Sequence, residues 1–343
     1  MTKEKARSQP LHVALAGAGM ISHYHLIAWR NLGERARVVA ICDPDLKRAE
    51  RRAEEFGIAH AYDRADAMLD AEAINALDVA SPRETHASWV EAAAARGIDV
   101  LCQKPLTPTL AEAEALAERV RDRIRLMVHE NWRFRPWYRL LSKWMAAGEV
   151  GEIFGGHLVM ASSGFLPDEN GRRPSLVRQP FMQHEARLML AEVLIHQLDV
   201  VRWLAGPLRV VSARAMHSIS DIVGETLATV LLETASGAPI VVSGTMAAPG
   251  YPPRTQDRLE LYGRKATAVL AGTELSLLGP TPRRESYDFD AGYQASFDGV
   301  MVHFVECLAS GAPFETRPED NLETLRLVEH AYWAAGLHTP AVR

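Results

Sequence analysis

The sequence predicts a doubly wound α/β unit with a parallel sheet, followed by an α+β unit with a large, open, predominantly antiparallel sheet. Three observations point there. Short, almost wholly apolar runs recur through the first 130 residues, separated by helical stretches of ten or more residues. A glycine turn ends the first of those runs. After about Pro136 the apolar runs lengthen and begin to alternate with polar residues.

Residues 11–16 (LHVALA) and 37–42 (RVVAIC) read as strands covered on both faces, because parallel strands flanked by helices are buried on both sides. A helix over 20–32 follows the first, and a charged amphipathic helix over 44–56 follows the second. Shorter apolar runs at 75–80, 98–102 and 125–129 continue the series, in the order expected of βαβ units. Beyond Pro136, the runs 152–161, 209–217, 225–234 and 240–247 are β-rich and alternating, with turn residues such as Ala235-Ser236-Gly237 between them. They predict strands of an antiparallel sheet, hence a separate α+β domain. One helix, 188–204, interrupts them, and two more at 296–310 and 318–335 finish the chain. The long polar, proline-containing stretch 162–187 fits a lid or an oligomer contact. The expected domains are 1–135 and 136–343.

Composition narrows the function classes. A chain of 343 residues is comfortable for two domains, and 48% hydrophobic with 24% charged residues is ordinary globular usage. A net charge of −5 argues against a nucleic-acid partner held by long-range electrostatics. No apolar run approaches the ~20 residues of a membrane helix, so no membrane association is expected. The N-terminal MTKEKARSQP lacks the apolar core of a signal peptide. Cys42, Cys102 and Cys307 have no metal-ligand or disulfide spacing and sit in apolar stretches. Buried, reduced thiols suit a cytoplasmic protein.

The glycine turn carries the first functional signal. It reads Gly17-Ala18-Gly19-Met20-Ile21-Ser22, directly after the first strand and at the start of a helix. In such a turn the first glycine permits the tight bend and the second lets the backbone approach a pyrophosphate, which then faces the free N–H groups of the helix. Ser22 stands where a third glycine is usual and is still small enough for close helix–strand packing. Asp43 ends the second strand, 24 residues after Gly19, where an acid accepts hydrogen bonds from the adenosine ribose and repels a 2′-phosphate. Asp43-Pro44-Asp45 could equally cap the second helix, and one residue can do both. The pair predicts a dinucleotide site that favours NAD over NADP. Lys47 and Arg48 are nearby cations that could tolerate a phosphate.

Further motifs follow in order. They are Ala80-Ser81-Pro82 with His86, Gln103-Lys104-Pro105, the run from His129 to Phe134, the set Glu192, His196 and Asp199, and the closing HFVECLASG with Pro318-Glu319-Asp320. With the turn GAGMISHYH, this ordered set resembles the Gfo/Idh/MocA oxidoreductases. The resemblance implies an N-terminal Rossmann domain, a C-terminal domain whose open sheet makes oligomer contacts, and a homodimer or homotetramer. It implies NAD as cofactor and a sugar or polyol as substrate, such as an aldose oxidised at C1 or an inositol. It also adds Ser81, Pro82, His86, Gln103, Lys104 and Asn131 to the cofactor residues Gly17, Gly19, Met20, Ile21, Ser22 and Asp43. Three positions depart from the family pattern: Gln103 replaces the usual Glu, Arg83 a frequent Asn, and Glu192 the common Asp.

Oxidising an alcohol needs a hydride acceptor, a base for the hydroxyl proton and a cation or donor near the developing alkoxide. Lys104 follows a strand on the carboxyl edge, where open α/β sheets bind ligands. By the resemblance it bridges the nicotinamide ribose and the reacting hydroxyl. On a continuous helix over 188–204, Glu192, His196 and Asp199 would share one face of an otherwise apolar element, and such a buried polar stripe requires partners or a ligand. A satisfied core histidine is the competing reading; the resemblance favours His196 as general base, with Glu192 beside it. A histidine's ordinary pKa near about 6.5 suits that work. The expected catalytic residues are Lys104, His196 and Glu192. Lys104, Arg133, Glu192, His196 and Asp199 are expected to bind substrate, and no metal is expected. An NAD-dependent glycosidase of the same fold and a non-catalytic NAD-binding sensor remain as alternatives.

Overall fold

A computed structural model of the chain describes residues 10–337 and divides them into two compact units. The first holds residues 10–134 together with Tyr293–Leu322, and the second holds Arg135–Gly292 with 323–337.

The first unit is built on six strands: β1 (Leu11–Ala16), β2 (Ala36–Cys42), β3 (His60–Tyr62), β4 (Ala76–Val79), β5 (Asp99–Gln103) and β6 (Leu126–His129). They pair in the order β3-β2-β1-β4-β5-β6, every pair parallel. The helices between them are α1 (Ser22–Asn31), α2 (Leu46–Phe56), α3 (Ala65–Ala71), α4 (His86–Ala94) and α5 (Leu110–Val120). Val13 through Ala16 are fully buried, as a central parallel strand requires. The order reverses between β1 and β4, and the crevice outside the carboxyl ends at such a switch point is where doubly wound sheets take ligands. Neither β3 nor α3 stood out in the sequence, because HAY is short and only half apolar.

The second unit contains α6 (Pro136–Ala146), β7 (Ile153–Ala161), α7 (Pro174–Arg178), α8 (Ile195–Ala205) and seven further strands. These are β8 (Leu208–Met216), β9 (Leu227–Thr234), β10 (Pro239–Thr245), β11 (Gln256–Gly263), β12 (Thr267–Ala271), β13 (Glu274–Leu278) and β14 (Arg283–Ser286). Their order is β14-β13-β12-β11-β7-β10-β9-β8, and only the β7–β10 pair is parallel. Along β9, Ala228, Val230 and Leu232 are buried while the alternate residues are half-buried, so one face of the sheet is covered. The stretch 162–187 is tied to its own unit: Phe165 N–H donates to Met246 O and Ser175 N–H to Gly164 O.

Two expectations need correction. The residues after 136 do not all belong to the second unit. The long helix α9 (Phe289–Ser310) gives only its first residues to it; from Tyr293 onward, Phe297, Val300, Met301 and Phe304 join Val13, Trp29 and Phe134 in the first unit's core. The final helix, α10 (Pro318–Ala334), is likewise divided after Leu322. The expected single α-helix over 188–204 is also two pieces, a π-helical turn over Met189–Val193 followed by α8. Val193 N–H reaches Leu188 O at 3.2 Å and Leu194 N–H reaches Met189 O at 2.7 Å, five residues back rather than four. The Glu225 carboxylate pins the start of this turn by accepting the N–H groups of Leu188 and Leu190 at 3.3 and 3.0 Å.

Candidate active site

The glycine turn in the first unit has two differently constrained glycines. Gly17 has φ +97°, and a Cβ there would stand 2.8 Å from Ala80 O and Ser81 N. Only glycine lets the turn pass the end of β4. A Cβ on Gly19 would meet nothing within 4 Å, so protein packing does not demand glycine there. The open backbone face fits the close approach of a pyrophosphate. Ile21 occupies the N-cap of α1 and supplies no capping side chain, so the first N–H groups of that helix have no side-chain acceptor. Ser22 is buried, with its hydroxyl donating to Gly19 O at 2.6 Å. These residues fit a dinucleotide.

Asp43 is nearly buried and braces the turn. Its Oδ2 accepts Ala18 N–H at 2.9 Å and its Oδ1 accepts Asp45 N–H at 3.0 Å. The cap of α2 is Asp45, whose carboxylate accepts Arg48 N–H. The Arg48 guanidinium stands 3.7 Å from Asp43 Oδ2.

The next two turns are joined by His86. Its Nε2 lies 2.9 Å from Ser81 O and its Nδ1 2.9 Å from Pro105 O, with the ring buried. The Ser81-Pro82 turn and the cis Lys104–Pro105 turn are thus held to one side chain. Gln103 contacts Lys104 N–H and His25. Asn131 is buried and donates to Ser296 Oγ at 2.7 Å. Arg133 is buried and pairs with Asp320 in the first turn of α10 at 2.5 Å. Its charge is therefore held by a carboxylate of its own unit.

In the second unit Glu192, His196 and Asp199 fall in two consecutive helical pieces. Glu192 lies in the π turn, whereas His196 and Asp199 lie in α8, so the four-residue spacing of an α-helix does not relate Glu192 to His196. Glu192 and His196 keep 9% and 7% exposure; Asp199 has none. Asp199 accepts from Thr324 Oγ1 at 2.7 Å and faces Arg202 at 3.5 Å, which makes it an anchor for α8. Beside His196, Gln197 donates to Asp257 at 2.9 Å, and Tyr138 donates to the same carboxylate at 2.8 Å. Burial first, and then the Asp257 charge, push the Tyr138 hydroxyl well above its ordinary pKa, so it stays a donor. Lys104 belongs to the first unit and His196 to the second.

The residues of these surroundings not singled out by sequence include His25, Asp78, Glu225, Gln197 and Asp257. Asp78 had a signal. It is a carboxylate inside the apolar run 75–80, and a charge there needs buried partners. Glu225 had none, standing at the polar start of a strand-like run.

Two family models match the chain. The oxidoreductase family model with an NAD-binding Rossmann fold covers residues 11–130, and the GFO/IDH/MocA C-terminal domain covers 138–269. The D-apiose dehydrogenase of Paraburkholderia graminis is 34% identical, over 94% of this chain and 87% of that protein. The D-apiose dehydrogenase of Rhizobium rhizogenes is 30% identical, over 94% of each chain. Among solved structures, an oxidoreductase from Agrobacterium radiobacter in complex with NAD+, L-tartaric acid and magnesium superposes with a TM-score of 0.88. It is 28% identical, over 96% of this chain and 97% of that one.

Proposed function

The chain belongs to the Gfo/Idh/MocA oxidoreductase family, and from that premise we infer that it is an NAD-dependent dehydrogenase oxidising a hydroxyl of a sugar or polyol. The observation that carries the cofactor is the pair of glycines: one is required by the fold, the other by no packing contact among the described residues. The substrate class rests on the two D-apiose dehydrogenases, which match almost end to end.

Gly17, Gly19, Met20, Ile21 and Ser22 hold the pyrophosphate through backbone N–H groups, and Asp43 takes the adenosine ribose. Ser81, Pro82, Gln103 and Lys104 complete that side, with His86 fixing two of the turns. Bound NAD supplies the hydride acceptor. Lys104 lends its ammonium to the reacting hydroxyl and steadies the alkoxide as it forms. His196 removes the hydroxyl proton, and Glu192 orients His196 or a neighbouring hydroxyl. Asn131, Arg133 and Asp199 support these groups from buried hydrogen bonds. The substrate is an aldose oxidised at C1 or a cyclic polyol. The protein acts in the cytoplasm as a homodimer or homotetramer.

NADH formation across aldoses, D-apiose included, inositols and simple aliphatic alcohols tests the reading. At least one sugar or polyol should exceed every aliphatic alcohol in kcat/KM. His196→Ala should lower kcat by about 10²–10⁴ with NAD affinity kept. Aliphatic alcohols outperforming the whole panel, or cleavage of an aryl glycoside without NADH accumulation, would overturn it.

A further inference from the structure

Behind the Lys104–Pro105 turn runs a buried polar chain contributed by α1, β4 and β5. Gln103 Oε1 accepts the backbone N–H of Lys104 at 2.8 Å. Gln103 Nε2 lies 3.1 Å from His25 Nε2. On the other side of that ring, His25 Nδ1 lies 2.9 Å from Asp78 Oδ2 and 3.1 Å from Oδ1. Trp29 Nε1 donates to Asp78 Oδ2 at 2.7 Å. His25 and Asp78 are fully buried. The His129 ring from β6 stacks on His25 at 4.3 Å, Phe297 from α9 meets its edge, and Cys102 from β5 feels the Asp78 charge. Burial, with that charge second, raises the Cys102 pKa and keeps the thiol neutral.

Two donors in this chain cannot be reassigned, the Trp29 Nε1–H and the Lys104 backbone N–H. A backbone N–H only donates, so the oxygen of the Gln103 amide must face Lys104, and its NH₂ must face His25. His25 Nε2 then presents a lone pair. The ring proton sits on Nδ1 and is donated to Asp78. Every link has one donor and one acceptor, and the direction of the whole chain is set by the main chain of Lys104.

We propose that Gln103 is a positioning residue for Lys104, tying its backbone to a buried His25–Asp78 pair in which His25 is the neutral Nδ1–H tautomer. Its functional weight rests on the reading of Lys104 as a catalytic residue; the tautomer does not. A glutamate at 103 could not donate to His25 Nε2. It would require an imidazolium between two carboxylates, adding buried charges where glutamine needs none.

The test is a long-range proton–nitrogen correlation spectrum of the histidine-labelled full-length protein with NAD bound at pH 7, with His25 assigned by the signals lost in His25→Asn. In the wild type, His25 should show one protonated nitrogen, δ1, and one bare nitrogen, ε2. In Gln103→Glu both should be protonated. In Gln103→Leu, the Lys104 amide should exchange at least about tenfold faster, the worth of one hydrogen bond, with Leu101 and Cys102 still protected. An ε2–H tautomer or an imidazolium in the wild type overturns the proposal even if no variant folds. So does unchanged Lys104 exchange in Gln103→Leu. Neither result bears on whether Lys104 is catalytic, which the loss of kcat in Lys104→Ala decides separately.

Discussion

Gly17 and Gly19 stand two residues apart and answer to different constraints, so substituting them should separate folding from cofactor binding. Gly17→Ala combines a positive φ with backbone contacts of 2.8 Å, and should cost about 1–3 kcal/mol or more in urea unfolding. Gly19→Ala should stay within about 0.5 kcal/mol of wild type yet bind NAD at least about tenfold more weakly, read by fluorescence titration. Equal NAD affinity in Gly19→Ala would remove the pyrophosphate from that turn. On the proposed reading, Asp43 would place a carboxylate where a 2′-phosphate would sit. Catalytic efficiency should be at least about tenfold higher with NAD than with NADP, and Asp43→Ala should narrow the ratio while loosening the turn it braces. The three thiols, all buried, give a pH dependence. Burial, with the Asp43 and Asp63 charges behind it, pushes Cys42 up to about 12, against about 8.5 in the unfolded chain. The native state then holds more protons than the unfolded state between those values, so stability falls as pH rises through that window. Unfolding free energies at successive alkaline pH values should decline, and less steeply in Cys42→Ala.

At the scale of the element, the π turn is the feature that local sequence does not dictate. The Glu225 carboxylate receives Leu188 N–H, Leu190 N–H and the Tyr332 hydroxyl, the last at 2.6 Å. Burial, and next the Glu225 charge, hold Tyr332 well above the ordinary tyrosine pKa, so it donates throughout the physiological range. The widened turn, which contains Glu192, then runs into α8 just ahead of His196. Extra residues of this kind recur at functional sites. Glu225→Gln should cost about 1.5–3 kcal/mol, since an amide nitrogen would face a donor. If the turn serves catalysis, the same variant should also lower kcat while leaving NAD affinity in the other unit unchanged. A stability loss with wild-type kcat would make the turn a purely structural device.

For the whole molecule, the eight-stranded sheet leaves one face incompletely covered. On it, Leu231 of β9 lies opposite Val241 of β10, which in turn lies opposite His157 of β7; Ser243 is paired in the same way with Val159. These residues are only half-buried. A broad half-apolar sheet surface of this kind is suited to contact with a second copy. Val241→Glu with Leu231→Lys should shift the mass measured by light scattering from oligomer to monomer, with the circular dichroism spectrum retained. A wild-type protein that is monomeric across micromolar concentrations would refute the assembly.

Sequence by itself determined what short-range pattern can encode. β1 falls where the apolar run predicts it, the glycine turn follows it, and α2 ends at Gly57 in the left-handed conformation that glycine favours. Periodicity and turn chemistry act over a few residues, so β1, β2, β4–β6 and β7–β10 were legible, together with the glycine turn, whereas β3 and β11–β14 were not singled out. Tertiary structure alone decided the pairing of buried polar groups. Arg133 finds Asp320, and His25 finds Asp78 and Gln103. It also decided that residues 293–322 join the first unit and that Glu225 opens the helix before His196. Each of these is a contact between positions far apart in the chain. No local pattern records which buried donor will meet which acceptor, because that choice is made only when burial removes water as the alternative partner.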